Sequence, residues 1–188
     1  DVYITQFNGG IFGQTQYFNE ILLSSSPNEK YTSYIEIEND FQGYRTAGIN
    51  GLKVTAAHEL HHAIQIGKYG IWSFNDFYFN ELTSTWMEDA VYSSVNDYYY
   101  DVAGYFQGYD LRFKGFKDAL NRSLPFTFLP SNFSDPPYYG YERSIWAHYL
   151  SKRFGRGVMR AIWDWEQSQP LFQGMKSALE SYGTTLEA

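Results

Sequence analysis

The chain of 188 residues contains no cysteine. That excludes a disulfide scaffold, an iron–sulfur cluster, a Cys-type zinc finger and a cysteine nucleophile. It does not fix the compartment. Basic residues are also few: 14 Lys and Arg against 21 Asp and Glu give a net charge of −7. With no basic excess to displace counterions, nucleic acid is not an expected partner. No apolar run approaches the 18 or so residues of a membrane span. Three nucleotide- or nucleophile-bearing signatures are missing too: the P-loop, the dinucleotide fingerprint and G-x-S-x-G.

The residues present are those of a folded protein. Hydrophobic residues make up 44%, which excludes a disordered chain, and the length corresponds to about one domain. Aromatic residues are abundant: 18 Tyr, 15 Phe and 5 Trp. Their plainest use is an aromatic core, in which Tyr rings bury their body and keep the hydroxyl wet. The other use is an aromatic-lined cleft or an adhesive surface. The chain opens Asp1-Val2-Tyr3-Ile4, without Met and inside a strand pattern. It therefore reads as a piece, 1–188, of a longer protein whose upstream residues would hold any signal peptide.

Patterning divides the chain into strands followed by helices. Asp1–Phe7 alternates loosely and is broken by Asn8-Gly9-Gly10. Tyr31–Glu38 is the clearest strand, with Ser33, Ile35 and Ile37 on one face. It is expected at a sheet edge over the cleft. Beyond Gly51 the pattern is helical. Leu52–Gly67 is rich in Ala, Leu and Ile, with Gly67 as its stop. Asn75–Val95 is a second helix, capped by Ser73 or Asn75, and Tyr98–Gln107 a third. Residues 121–140 hold four of the six prolines and predict a long loop. Helices over Glu142–Phe154, Val158–Gln167 and Leu171–Tyr182 complete the chain. Strands first and helices after predict an α+β single domain: a small N-terminal sheet, then a mostly helical C-terminal part.

The chemistry-bearing stretch is His58-Glu59-Leu60-His61-His62, an H-E-x-x-H pattern holding three of the four histidines. Four residues of helix turn through about 400°, so His58 and His62 lie about 40° apart and one turn along. Their imidazoles converge on one point, as a tetrahedral zinc site requires. Glu59 lies about 100° from His58, beside the metal, where it can take a proton from the water that the metal activates. His61, at i+3 from His58, would demand a different roll of the helix and reads as a hydrogen-bonded or solvent-facing residue.

A third ligand is still needed. Eighteen residues separate His62 from Glu81, and two antiparallel helices joined by a short loop would return Glu81 to the metal. Glu88 lies on the same helix face two turns on and is the alternative third ligand. Whichever carboxylate does not bind metal can bond the free nitrogen of His58 or His62, as can Asp89.

With Asn80-Glu81 and Ser84 three positions on, the stretch resembles the gluzincin metallopeptidases. More faintly, the chain from Asp1 to Gly155 resembles little-characterised secreted bacterial metalloprotease-like domains. The resemblance implies a zincin-like fold, with one catalytic zinc held by His58, His62 and Glu81 and with Glu59 as general base. It also implies a protein or peptide substrate and an extracellular or cell-surface location. Such chemistry needs a donor for the developing oxyanion. Tyr141 and His148, seven residues apart and so on one helix face, are the candidates.

Weaker patterns are Asn75-Asp76, Asn96-Asp97 and Asp101, which could hold calcium but lack an EF-hand loop. Asn121 and Asn132 head glycosylation sequons. The rival functional class is a binding or adhesion module with an aromatic surface and a structural or vestigial zinc. A vestigial site, however, has no reason to keep Glu59 beside a full ligand set.

Overall fold

The structure, a computed structural model, describes residues 1–7, 10–21, 29–70, 77–107 and 138–185. Among the described residues three strands come first: β1 (Val2–Thr5), β2 (Gly13–Glu20) and β3 (Tyr31–Glu38). Six described α-helices follow: α1 (Gly48–Ile64), α2 (Phe77–Val91), α3 (Tyr99–Gln107), α4 (Tyr138–Phe154), α5 (Gly157–Glu166) and α6 (Leu171–Ser181). The α+β class expected from the sequence is the one observed. No described helix is long and apolar enough to cross a membrane.

The sheet order is β1-β3-β2, with β1 parallel and β2 antiparallel to β3. This corrects one expectation, since Tyr31–Glu38 is the central strand and β2 is the edge strand beside α1. Ile35 and Ile37 of β3 are buried together with Phe41, and Leu52 and Ala56 of α1 pack against them. On β2 the corresponding inner positions are Gly13 and Thr15, which pair with Ile37 and Ile35.

The α1 helix begins at Gly48, earlier than its apolar pattern indicates. It also runs past Gly67 through a π-helical turn, Gln65–Tyr69, closed by the Gly70 amide donating to the Gln65 carbonyl at 2.8 Å. The second helix stops at Val91, short of the expected Val95. The chain then turns through Asn96, which adopts φ 57°, a conformation Asn tolerates better than most residues. Its expected caps, Ser73 and Asn75, lie outside the described residues. So do residues 121–137 of the proline-rich segment and the sequons at Asn121 and Asn132; residues 138–140 belong to α4.

The main apolar core lies between α2, α4, α5 and α6. Phe79, Leu82 and Trp86 meet Ala147, Leu150, Ile162 and Trp163 there. Burying side chains of this size stabilises a fold by roughly 1.5–3 kcal/mol each. A polar clasp ties the segment before α1 to the α2–α3 connection and the first turn of α3. Arg45 donates to Asp97 at 2.8 Å and to both oxygens of Asp101 at 2.7 and 2.8 Å, and the Thr46 hydroxyl bonds Asp97. Asp97 and Asp101, weighed as calcium ligands, thus hold a guanidinium. Asn75 and Asp76 are outside the described residues.

Helices α2 and α4 run in the same direction. Glu81 lies opposite Gly140, while further along the Trp86 indole donates to Ser151 at 3.1 Å. Gly140 makes this approach possible. A Cβ there would collide with the Tyr78 carbonyl and the Glu81 Cβ, and would lie 2.8 Å from the Leu82 amide. Gly140→Val should therefore destabilise the fold by roughly 1–3 kcal/mol or more, as overpacking does. Urea unfolding checks this, and a parent-like midpoint would show that the helices can part freely.

Candidate metal centre

The centre forms where α1 and α2 cross antiparallel. Moving along α1, His58 meets Glu88 and Glu81, His61 meets Ser84, and Gln65 meets Thr83 and the Asn80 carbonyl. The i, i+4 spacing of His58 and His62 puts their rings edge to face, with centroids 4.7 Å apart. Their Nε2 atoms are 3.0 Å apart, and Glu81 Oε2 lies 3.1 Å from the first and 3.3 Å from the second. Four ligands at the usual zinc distances of about 2.0–2.1 Å would stand roughly 3.3 Å from one another in a tetrahedron. The three atoms therefore make one face of such a tetrahedron. Two imidazole nitrogens and a carboxylate oxygen are also a donor set suited to zinc. Among the described residues, this is the one group of three acidic, His or Cys side chains that converges in this way.

Each candidate histidine ligand has a partner behind it. Glu88 Oε1 lies 2.7 Å from His58 Nδ1, and Gln65 Oε1 lies 2.7 Å from His62 Nδ1. Glu88, the alternative third ligand, thus bonds the far nitrogen of His58, and Glu81 completes the convergent set. Tyr141 stacks on His58, with centroids 5.6 Å apart and planes at 14°, and its hydroxyl is hydrogen-bonded to Glu81.

Glu59 is buried. The Thr15 hydroxyl of β2 lies 2.7 Å from its Oε2 and 2.9 Å from its carbonyl oxygen. Gly13 allows the edge strand to come this close, because a Cβ there would lie 2.6 Å from Thr55 Cγ2 and 3.1 Å from Glu59 Cγ.

The other candidates are placed elsewhere. His61 Nδ1 lies 3.0 Å from Ser84 Oγ and 2.8 Å from Gln65 Nε2, and its ring meets the edge of Trp163. Asp89 approaches His148 Nδ1 at 3.7 Å, and the His148 ring stacks on Tyr98 at 4.1 Å. His148 and Tyr141 both turn toward α2, but Tyr141 stacks on the candidate ligand His58 whereas His148 meets Asp89. Sequence reasoning did not single out Gly13, Thr15 or Gln65. Gly13 and Thr15 sit on a strand without apolar alternation, and Gln65 enters the site through a π-turn that no periodicity announces.

Electrostatics favour a cation. Burial by itself would depress the His58 and His62 pKa values. The Glu81 and Glu88 carboxylates reverse this at His58, and Glu81 does so at His62, leaving both above the ordinary 6.5. Burial would raise Glu81, yet the two imidazoles hold it well below the usual carboxylate range. Glu88 is pushed up to about 7 by burial, partly offset by its bond to His58. Burial and the neighbouring Glu81 raise the Tyr141 hydroxyl, which keeps its proton and remains a donor.

No family model, curated protein or solved structure matches the chain. The case for the centre is therefore made by its geometry and donor chemistry.

Two outcomes follow for the purified protein. Because Glu81 supplies a converging oxygen and Glu88 only supports His58, Glu81→Ala should weaken zinc more than Glu88→Ala, whose loss is expected at about 10–100-fold. Competition with a chelator measures both, and the reverse order would make Glu88 the ligand. Protons and metal also compete for the same nitrogens. Raised imidazole values mean that those protons persist above pH 6.5, so zinc affinity should keep rising with pH beyond that point. Calorimetry in buffers of different ionisation enthalpy should record proton release at neutral pH; affinity that is flat from pH 6 to 8 would contradict this.

Proposed function

We propose that this protein is a zinc-dependent peptidase of the gluzincin kind, which hydrolyses peptide bonds with Glu59 as general base. The observation that carries the reading is the convergence of His58 Nε2, His62 Nε2 and Glu81 Oε2 at 3.0–3.3 Å, one residue along the helix from a carboxylate that is not among the ligands. A zinc ion held by these three would supply a Lewis acid and a water acidic enough to deprotonate near neutrality.

The chain's own residues fit the remaining tasks. Glu59 accepts the proton of the attacking water and returns it to the leaving amine. The Thr15 hydroxyl holds that carboxylate in one orientation. Tyr141, protonated and set over His58, would turn its hydroxyl from Glu81 to the carbonyl oxygen as negative charge develops on that oxygen.

Substrate backbone would be held by the outer edge of β2. Phe12, one residue before the strand, accepts the Glu38 amide at 2.9 Å, which places Phe12 and Glu38 in a hydrogen-bonded pair. In an antiparallel ladder such pairs alternate, so the main-chain groups of Gly13 and Thr15 turn away from β3, toward the edge. An extended peptide added there would lie along the strand that carries the clamp on Glu59.

Glu59→Gln keeps size and polarity but removes the base. The variant should bind one zinc per chain, melt like the parent and cleave an unfolded protein substrate at least ~100-fold more slowly. Parent-like cleavage by this variant would reject the mechanism. Absence of zinc uptake by the parent would reject the metal site.

A further inference from the structure

Gln65 is 1% exposed and opens the π-helical turn that continues α1. Such turns insert one residue into the helical register and recur at functional sites. Here the turn aims a carboxamide back into the seam between α1 and α2. Its Oε1 lies 2.7 Å from His62 Nδ1, while its Nε2 lies 3.1 Å from the Asn80 carbonyl and 2.8 Å from His61 Nδ1. Nε2 also has the Thr83 and Ser84 hydroxyls at 3.0 and 3.2 Å.

These contacts fix which way the amide points. The Asn80 carbonyl can only accept, so it must face the NH₂ group. Reversing the amide would set two acceptors against each other in a buried site, where an unmet acceptor is costly. With NH₂ toward Asn80, the carbonyl end faces His62. That oxygen can only accept as well, so Nδ1 of neutral His62 carries the proton. The lone pair of His62 is then on Nε2, toward His58 and Glu81. Asn80 immediately precedes Glu81. One buried amide thus links the tautomer of a histidine on α1 to the backbone that carries the carboxylate on α2.

We propose that Gln65 is a positioning residue: its carboxamide, oriented by the Asn80 carbonyl, sets the His62 tautomer that leaves Nε2 free for metal and holds the two ligand helices in register. This rests on the metal-site reading above.

The test compares the parent with Gln65→Leu, which keeps the volume and loses both hydrogen-bonding ends, and with Gln65→Glu, which restores an acceptor for His62. Zinc affinity is measured by chelator competition, and the cobalt-substituted proteins are compared by their visible ligand-field bands. Gln65→Leu should bind zinc about 10–100-fold more weakly and shift the cobalt bands. Gln65→Glu should recover part of that affinity, since one oxygen accepts from His62 while the other opposes the Asn80 carbonyl. Long-range proton–nitrogen NMR of the metal-free parent, at a pH where His62 is neutral, should show the Nδ1–H tautomer; this readout stands even if both variants fail to fold. Two results overturn the role of Gln65: zinc affinity within about threefold of the parent in folded Gln65→Leu, or an Nε2–H tautomer of His62 in the metal-free parent. A parent that takes up no zinc refutes the metal site itself, a different failure from either of these.

Discussion

The fold depends on a helix–helix seam that is polar where such seams are ordinarily apolar. Between α1 and α2 lie three imidazoles, two glutamates, a carboxamide and two hydroxyls, most of them buried. Taking such groups out of water is unfavourable unless each finds a partner. The antiparallel register supplies those partners in sequence: Glu88 for His58, Ser84 for His61, and Gln65 for His62. Slipping either helix by one residue would break several of these bonds at once. The seam therefore sets the register more strictly than hydrophobic contact could, while the energy that holds it together lies elsewhere. Phe79, Leu82 and Trp86 turn from α2 to the core with α4–α6, and on the other flank α1 covers Ile35, Ile37 and Phe41. The two apolar clusters compress a polar layer between them.

That layer is biased toward a cation by its composition. Two carboxylates flank the His58 ring, one at each nitrogen. Burial removes the water that would otherwise screen their charge, so the imidazoles gain affinity for protons while Glu81 loses it. A divalent ion would satisfy the same charge arrangement with three bonds directed at one point. Glu59 has a smaller part in this exchange: its charge also helps to raise His62, but its hydrogen-bond partner is Thr15 on the sheet. The group proposed for proton transfer is thus mechanically tied to the strand proposed for substrate, and the candidate metal ligands are tied to α2.

The parts of the site that the sequence made legible are those governed by helical periodicity. The four-residue spacing of His58 and His62 and the seven-residue spacing of Glu81 and Glu88 are both multiples of a helical face, and the structure brings all four side chains to one seam. Strand β2 was not legible because its inner face is Gly13, Thr15 and Tyr17. Alternation signals a strand only when the inner face is apolar, and here that face lies against Glu59. The central place of Tyr31–Glu38 is not legible in its pattern for a related reason. Half-buried alternation identifies one covered face, whereas strand order is decided by main-chain pairing on both edges, with β1 and with a β2 that the pattern does not reveal. Gln65 was hidden by the switch from an α- to a π-helical turn, which moves a side chain off the face that a 3.6-residue period assigns to it.

The two aromatic-face candidates on α4 show how close packing can separate residues that periodicity treats alike. Tyr141 and His148 are two turns apart on one face, and both turn toward α2. Because α2 and α4 run in the same direction, their positions map onto α2 in the same order: Tyr141 beside Glu81, His148 beside Asp89. Only the first of those α2 positions lies over the histidines of α1. Gly140 lets the helices approach closely at that same level, and the residue that follows it is the one stacked on His58. His148, further along, stacks instead on Tyr98, just before α3. A difference of two turns thus divides the pair between the metal centre and the packing of the helices behind it.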